Sequence, residues 1–245
     1  MSIIAQKQID KPVNDIEQNI QRVREQIGRS AQDCGRSLDS VTLIAVSKTF
    51  SAETISQAIS AGLTRFGENR IQEAEPKILS LRHFPNIEWH MVGHLQSNKA
   101  KRAAEFFDVI HSLDSVKLAI KLNEACAESG KILSVLLQVD LGEEETKFGA
   151  VRSRVREIVA AAANLKWLKL DGLMTVPPFF DDPELTRPYF SELRELSEAL
   201  ERGQPGCLGK RHLSMGMSHD FQVAIQEGST LVRIGTAIFG ARGHA

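Results

Sequence analysis

Cysteine is scarce in this sequence. Cys34, Cys126 and Cys207 are the three cysteines among 245 residues, and no two of them stand in a CxxC or zinc-finger spacing. An odd number of widely separated cysteines does not suit the disulfide framework on which small secreted domains depend. These features are typical of a reducing compartment, and we expect a cytoplasmic protein.

The sequence also lacks an excess of either charge and lacks long apolar runs. Thirty basic residues are balanced by 31 acidic ones, which gives a formal net charge of −1. Proteins that bind nucleic acids or membrane surfaces usually carry a positive excess. No stretch approaches the roughly 18 apolar residues of a membrane span, and the apolar run at the N-terminus is too short for a signal peptide. We therefore expect neither a nucleic-acid partner nor a membrane partner.

The ordinary balance of 42% hydrophobic and 25% charged residues indicates a folded globular chain. From residue 41 onward, short β-branched runs alternate with amphipathic runs in eight successive cycles. The predicted strands span residues 41–49, 65–69, 87–93, 108–113, 132–140, 168–176, 211–215 and 230–239. The predicted helices span residues 51–61, 71–81, 98–106, 115–129, 150–163, 185–202 and 220–227.

Eight strand–helix cycles over about 200 residues predict an α/β fold, a single (β/α)₈ TIM barrel over residues 41–240. A doubly wound sheet is the alternative, but no GxGxxG follows any predicted strand. Before the barrel, Ile16, Ile20, Val23 and Ile27 recur at helical spacing, so residues 1–40 should supply an extra N-terminal helix. Residues 1–245 are expected to form one domain.

Lys48 stands out at the end of the first predicted strand. On strand parity it shares an otherwise apolar face with Ile44 and Val46. Burial favours the neutral form of a lysine, and a neutral amine attacks carbonyl carbons. The alternative is a lysine whose stem lies on apolar surface while its ammonium group reaches water.

Small residues collect at the ends of the last two strands. Ser214, Gly216, Gly235 and Thr236 lie where barrels often bind a phosphate, with a helix predicted to begin after an N-cap at Ser218. Glycine and serine are also ordinary turn residues, which is the competing interpretation.

Arg233 lies within the apolar last strand, between Val232 and Ile234. Because burial of an unpaired charge is costly, it needs a partner. That partner is either a barrel carboxylate, such as Glu68 or Asp140, or an acceptor atom on a ligand. A reactive lysine, a phosphate-binding loop and an inward arginine together match pyridoxal 5′-phosphate, with the arginine at the pyridine nitrogen.

Several motifs strengthen this interpretation. The segments AVSKT, FGENRIQE, WHMVGHLQSNK, HSLDS, KFG, GLMTVPP and LSMGMSHDFQVAIQEGSTLVRIGTAIFG occur in order between residues 41 and 240. In these motifs the chain resembles the pyridoxal phosphate homeostasis protein family, whose barrel is similar to the N-terminal domain of alanine racemase.

The resemblance implies a site for pyridoxal 5′-phosphate. Lys48 would form the covalent aldimine, Asn69 would lie near the ring, and Arg233 would meet the ring nitrogen. The phosphate would be held by Ser214, Gly235 and Thr236. Met215 and Gly216, in the same motif as Ser214, complete the expected cofactor-binding residues.

The resemblance also implies a function, for which two hypotheses compete. The first, which we favour, is a monomeric, non-catalytic protein of cellular pyridoxal phosphate homeostasis and of amino-acid and keto-acid balance. Its expected partners are apo-enzymes or metabolic regulators. The second is an amino-acid racemase or other aldimine enzyme. A two-base racemase needs a second acid–base group, a tyrosine in alanine racemase, whereas the one tyrosine here, Tyr189, is predicted on an outer helix.

Three other features bear on binding. His90 and His94 are four residues apart but begin on a predicted strand, where that spacing covers about 13 Å, so we expect no metal site. Lys147, near the barrel mouth, is a candidate for either a cofactor contact or a surface ion pair. Residues 177–184 form a loop with two phenylalanines, Phe179 and Phe180, expected to be exposed as a lid or a partner contact.

Overall fold

The computed structural model describes residues 15–142 and 148–240. Lys147 and the acidic segment before it lie outside the described residues. Nine strands and nine α-helices occur in the described part of the chain. The strands are β1 (Thr42–Val46), β2 (Arg65–Glu68), β3 (Glu88–Met91), β4 (Val109–Leu113), β5 (Leu133–Asp140), β6 (Ala150–Val151), β7 (Leu168–Met174), β8 (His212–Met217) and β9 (Leu231–Ile234). The helices are α1 (Asp15–Asp33), α2 (Ala52–Ser60), α3 (Ile71–Leu81), α4 (Ala100–Phe106), α5 (Val116–Ser129), α6 (Val155–Ala162), α7 (Arg187–Gly203), α8 (Phe221–Gln226) and α9 (Thr236–Phe239).

Eight of the strands close into a parallel barrel. Neighbours pair in the order β1, β2, β3, β4, β5, β7, β8, β9, and β9 returns to β1 with Thr42 opposite Leu231. The two-residue strand β6 pairs with the end of β5 outside this ring. The predicted TIM barrel is confirmed, and so is the N-terminal helix, because α1 buries Ile20, Val23 and Ile27.

Local signals predict several helix ends correctly. The Ser115 side chain accepts a hydrogen bond from the amide of Leu118 and caps α5. At the other end of α5, Gly130 adopts the left-handed conformation (φ 68°) and its amide donates to Cys126, as a helix-ending glycine does.

The last predicted strand is wrong beyond Ile234. The sequence predicts a strand over residues 230–239, but β9 ends at Ile234 and Thr236–Phe239 form the short helix α9. The pairing of β9 with β1 stops at Ala45, so further extended chain would have no ladder partner. The apolar residues that suggest a strand instead bury a helix, with Ile238 in the same core as Ile20.

Boundaries of other predicted elements also differ by a few residues. Strand β1, predicted to reach residue 49, ends at Val46. Strand β8, predicted to end at residue 215, continues to Met217. The helix predicted from residue 150 begins at Val155, after β6 and a turn of 3₁₀-helix.

The core has two separate parts. The larger one fills the space between the sheet and the surrounding helices. The barrel interior holds a much smaller apolar cluster of Ile44, Leu136, Met174 and Leu231. Barrels of this type are usually filled by layers of branched apolar side chains. Here polar side chains occupy part of the barrel interior, and they extend towards the barrel mouth.

We predict that Gly216→Ala destabilises the protein. Gly216 has a φ of 91°, and a Cβ there would lie 2.6 Å from Cβ of Ala224 and 2.9 Å from Cα of Phe221, so β8 would have to move away from α8. Overpacking and left-handed strain together should lower the free energy of unfolding by roughly 2–4 kcal/mol in urea denaturation.

Gly35→Ala is the matched control. Gly35 has a φ of 68°, but a Cβ there meets nothing within 4 Å, so this variant carries the strain without the collision. It should lose only about 1 kcal/mol. Equal losses in the two variants would show that the approach of β8 to α8 is not the constraint.

Candidate functional site

A cavity of about 360 Å³ opens at the C-terminal ends of the strands. This volume lies within the range of about 300–1,000 Å³ that is usual for small-molecule sites. Its lining among the described residues is Val46, Lys48, Phe50, Asn69, Val92, Val176, Phe179, Met217, Ser218, His219, Arg233, Gly235, Thr236 and Gly240. The cavity therefore brings together five of the eight predicted cofactor-binding residues: Lys48, Asn69, Arg233, Gly235 and Thr236.

Lys48 lies in a turn rather than on the strand. It follows the end of β1 by two residues, and the amide of Phe50 closes the turn by donating to the carbonyl oxygen of Ser47 at 3.1 Å. Thr49 has a φ of 71°, an uncommon conformation for a β-branched residue. The turn places the half-buried Lys48 at the cavity, although strand parity was the wrong reason to expect it there.

A buried ion pair anchors this turn. Lys77 of α3 donates to the carbonyl oxygen of Ser47 at 3.0 Å and to Oε1 of Glu68 at 2.9 Å. The Ser47 hydroxyl donates to the same carboxylate oxygen at 2.7 Å. Burial raises the pKa of Glu68, against the opposing effects of Ser47 and Lys77. The carboxylate joins the backbone next to Lys48 to the helix that follows β2.

Arg233 is buried on the floor of the cavity. Its Nη1 donates to Oγ of Ser214 at 2.5 Å, and its Nη2 donates to the carbonyl oxygen of Thr175 at 2.9 Å. Desolvation lowers the pKa of Arg233 to about 10, and the negative charge of Asp220 opposes this shift. The guanidinium therefore remains protonated near neutral pH.

Of the two partners considered for Arg233, the barrel carboxylate Glu68 or Asp140 is wrong. Glu68 faces α3 and is bound by Ser47 and Lys77. Asp140 accepts from the amide of Gly142 at 3.2 Å. Among the described residues, Arg233 forms a salt bridge with neither carboxylate, and its hydrogen bonds go to uncharged oxygens.

Backbone amides converge on Ser218 at another part of the lining. Its Oγ accepts from the amides of Gly235 and Ala237 at 3.3 and 3.4 Å. The expectation that Ser218 caps the next helix is wrong, because Asp220 holds the N-cap position of α8. Oδ1 of Asp220 instead accepts from the Met217 amide at 2.6 Å and fixes the turn that carries Ser218. The Ser218 hydroxyl marks a position at which two amides meet an oxygen acceptor.

Three predicted residues lie beneath the cavity, outside its lining. The Ser214 hydroxyl is fully buried, 2.5 Å from Nη1 of Arg233 and 2.9 Å from Nδ1 of His111. Met215 packs in the core between sheet and helices, and Gly216 lies against α8. The alternation of side chains along β8 could have predicted that Ser214 and Met215 point to opposite faces of the sheet. No pattern within one strand could have predicted that Ser214 contacts His111.

The rim of the cavity includes an aromatic pair that the sequence pattern does not predict. Phe179 is 75% exposed, and its ring centroid lies 5.4 Å from that of His219. The ring of His219 also contacts the carbonyl oxygen of Asp181 through Nε2 at 3.0 Å. Phe180 is only half-exposed, with its ring 6.1 Å from Tyr189, so the expectation of two exposed phenylalanines holds for Phe179 alone.

His90 and His94 have different environments. Nδ1 of His90 lies 2.9 Å from Nε2 of His111, whereas His94 stacks on Phe148 with ring centroids 3.7 Å apart. Within residues 15–142 and 148–240, no three His, Cys, Asp or Glu side chains are grouped as metal ligands would be. No helix in those ranges is long and apolar enough to cross a bilayer.

Known proteins resemble this chain over nearly its whole length. Residues 13–243 match the family of the alanine racemase N-terminal domain. The pyridoxal phosphate homeostasis protein of Aquifex aeolicus (strain VF5) is 41% identical over 225 residues, covering 92% of this chain and 97% of that protein. The protein of that name from Escherichia coli (strain K12) is 42% identical over 238 residues, covering 95% and 99%. This chain belongs to the pyridoxal phosphate homeostasis protein family. The resemblance noted in the sequence motifs is confirmed.

Solved structures of other proteins are also similar to this chain. PipY of Synechococcus elongatus PCC7942, solved with PLP bound, is 37% identical, with a TM-score of 0.82 over 92% of this chain and 100% of PipY. Alanine racemase of Clostridium difficile 630 is 16% identical, with a TM-score of 0.71 over 95% of this chain and 58% of the racemase. At that identity, the likeness to the racemase shows the barrel fold alone.

We predict that Lys77→Met destabilises the protein more at pH 8 than at pH 5. Removing one partner of a buried ion pair costs about 3–5 kcal/mol when the other stays charged. The folded-state pKa of Glu68 is raised, so its contribution to stability is full at low pH and is lost as pH rises through the folded value. Without Lys77 this pKa rises further, and urea denaturation should show a loss that grows with pH.

The double variant Glu68→Gln with Lys77→Met is the control. It leaves no charge at the position of this ion pair, so it should recover most of the stability lost at pH 8 and lose the pH dependence. A loss in Lys77→Met that is the same at pH 5 and pH 8 would contradict a further rise of the Glu68 pKa in the absence of Lys77.

Proposed function

We propose that this protein binds pyridoxal 5′-phosphate in the cavity and acts without catalysis in cellular homeostasis of that cofactor, and so in amino-acid and keto-acid balance. The observation that carries the proposal is the meeting of Lys48, Arg233 and the Ser218 amide turn in one cavity of about 360 Å³. PipY, which has PLP bound, shares 37% of its residues with this chain.

The donor set fits the three polar ends of this cofactor. The amine of Lys48 suits the aldehyde carbon, to which we propose it binds covalently. The guanidinium of Arg233 suits the pyridine nitrogen, and Asn69 lies on the same cavity. For the phosphate we propose the hydroxyls of Ser218 and Thr236 with the amides near Gly235, because short hydroxyls and amides bind phosphate oxygens well.

Close packing supports a role for Gly235 in this cradle. A Cβ on Gly235 would lie 3.1 Å from the carbonyl oxygen of Val46, tighter than an ordinary contact. Glycine therefore lets the end of β9 approach β1. We propose that Ser214 acts on the cofactor through Arg233, and that Met215 and Gly216 act by packing β8 beneath the cavity.

Arg233 also favours binding over catalysis. When bound, pyridoxal phosphate supplies a ring that withdraws electrons best when its nitrogen is protonated. The pKa of Arg233, about 10, keeps its proton on the guanidinium near neutral pH. Arg233 then donates a hydrogen bond to the ring nitrogen without transferring the proton, which weakens the ring as an electron sink.

The placement of the one tyrosine argues against racemase chemistry. Racemisation with two bases needs an acid–base group on each face of the substrate carbon. Tyr189 lies on α7 beside Phe180, outside the described lining of the cavity. Phe179 at the rim is 75% exposed, and water that reaches a site weakens electrostatic catalysis there.

The cysteines and the cavity mouth bear on the setting in which the protein works. Cys34, Cys126 and Cys207 are free thiols, which supports a reducing cytoplasm. We propose a monomer that exchanges its cofactor with apo-enzymes or with metabolic regulators. An open mouth suits that exchange, because the bound group stays accessible.

We predict that Lys48→Ala abolishes covalent binding of pyridoxal phosphate. Wild-type protein incubated with the cofactor should turn yellow, and borohydride reduction should fix one cofactor per chain on the peptide that contains Lys48. The variant should lose both the visible band and the fixed mass, because the amine is gone.

Lys101→Ala is the control for this experiment. Lys101 lies on α4 in an exposed ion pair with Glu128, outside the described lining of the cavity, and its loss should leave the spectrum and the labelled peptide unchanged. Labelling of another lysine, or an unaltered spectrum in Lys48→Ala, would overturn the assignment.

We predict that the cofactor-loaded protein shows no enzymatic racemisation of a panel of amino acids. Loss of optical rotation should not exceed that of free pyridoxal phosphate at the same concentration, which is the control. Turnover at ordinary enzyme rates, ~1–10³ s⁻¹, would replace the non-catalytic proposal with the racemase alternative.

A further inference from the structure

A chain of hydrogen-bonded side chains crosses the barrel interior. Nδ1 of His90 lies 2.9 Å from Nε2 of His111, and Nδ1 of His111 lies 2.9 Å from Oγ of Ser214. The same hydroxyl oxygen accepts from Nη1 of Arg233 at 2.5 Å. The four side chains are at most 4% exposed, and they connect β3, β4, β8 and β9. The chain ends at the cavity, because Arg233 lines it.

Arginine sets the direction of this chain because it has donors and no acceptor. When Oγ of Ser214 accepts from Arg233, its own hydrogen needs an acceptor, and among the described residues Nδ1 of His111 is the remaining partner. His111 must then carry its hydrogen on Nε2 and donate it to Nδ1 of His90. His90 in turn carries its hydrogen on Nε2, which lies 3.7 Å from Oε1 of Glu88.

Both imidazoles are neutral in this arrangement. Burial lowers the pKa of His90 to about 3, and the nearby charges of Arg65, His212 and Lys210 act in the same direction. Burial also lowers the pKa of His111 well below its ordinary value, with further contributions from His90 and Arg233. A charged imidazole could not accept through Nδ1, so neutrality is required for the order of donors described above.

We propose that His111, supported by His90, is a positioning residue that orients the Ser214 hydroxyl and thereby fixes the guanidinium of Arg233 at the cofactor cavity. A hydroxyl can rotate and serve as donor or acceptor in several directions. With Nδ1 of His111 taking its hydrogen, a lone pair of Ser214 is left for Nη1 of Arg233. The carbonyl oxygen of Thr175 then holds Nη2, so two fixed acceptors set the plane of the guanidinium.

This proposal rests on the proposed function in one respect only, namely that the group bound by Arg233 is the cofactor. The internal order of the hydrogen bonds is a property of the protein alone. The two parts therefore call for separate measurements, so that one can fail without the other.

The first measurement is the tautomer of the two histidines in the purified full chain. Long-range ¹H–¹⁵N correlation spectra of ¹⁵N-histidine-labelled protein, recorded without added cofactor, distinguish the two neutral forms from the charged form. His90→Gln and His111→Gln assign the signals. We expect both residues to be neutral with hydrogen on Nε2 at pH 7 and still neutral at pH 5. A hydrogen on Nδ1 of His111, or a charged ring at pH 7, would overturn the proposal whether or not the protein binds pyridoxal phosphate.

The second measurement is the affinity for pyridoxal phosphate, with the position of the visible band. His111→Leu removes the acceptor for the Ser214 hydroxyl, so Arg233 is no longer held in place. The hydrogen bond from this charged group to the cofactor should weaken, which should lower affinity about tenfold and shift the band. Ser214→Ala removes the hydroxyl with little change of shape and should have the same effect, which keeps the test valid if His111→Leu does not fold. His111→Asn places an amide oxygen near the position of Nδ1 and should retain affinity within about threefold.

Leu136→Ala is the control for a merely structural effect. Leu136 is buried in the barrel interior but is neither in the hydrogen-bonded chain nor in the described lining of the cavity. It should lower stability without changing the affinity or the band. Equal weakening by Leu136→Ala and Ser214→Ala, or wild-type affinity and an unshifted band in Ser214→Ala, would overturn the role of the chain in positioning Arg233.

Discussion

Burial of the Arg233 charge is the constraint around which the cavity is arranged. An uncompensated guanidinium inside a protein costs far more than its neighbours would gain from packing. The structure compensates it with Ser214, with the carbonyl oxygen of Thr175 and with the negative charge of Asp220. These partners lie on or next to β7, β8 and α8, so satisfying one side chain fixes the relative positions of three elements of the barrel.

The same compensation shapes the site. Asp220, whose charge stabilises Arg233, also holds the Met217 amide, and this bond determines the turn in which Ser218 meets the amides of Gly235 and Ala237. On another side of the cavity, Glu68 and Lys77 anchor the turn of Lys48. The turns of Ser218 and Lys48 therefore each depend on a buried charged side chain. Lys48 and Ser218 lie on turns, but these hydrogen bonds hold them in fixed positions relative to the sheet.

Sequence reasoning could predict what is local. Strand and helix periodicity yielded the barrel, and the ends of parallel strands must share one face, which brought Lys48, Asn69, Arg233, Gly235 and Thr236 to one cavity.

Sequence reasoning could not predict pairings across the barrel. Ser214 and His111 are 103 residues apart, and nothing in either strand indicates that their side chains meet. For the same reason the sequence left a carboxylate and a ligand acceptor as the two possible partners of Arg233, since the usual rule for a buried charge does not anticipate uncharged protein oxygens. The prediction for residues 236–239 was wrong for a different reason. Their apolar pattern suits a buried strand and a short buried helix equally well. Because the pairing of β9 with β1 ends at Ala45, these residues form a helix.

The shared barrel does not by itself decide between a binding protein and an enzyme. Fold is compatible with many functions, and the likeness to alanine racemase at 16% identity concerns the fold. The chemistry depends on which groups can reach the open side of the cavity. On that side the described chain offers Phe179 and His219, an apolar ring and an imidazole at the rim, while Tyr189 lies away on α7. An enzyme gains from a closed site that excludes water, whereas a protein that exchanges its cofactor gains from a fixed interior and an accessible mouth. The buried network beneath Arg233 and the exposed rim above it combine those two properties. On the proposed function, the fixed interior selects the cofactor and the open rim lets it leave.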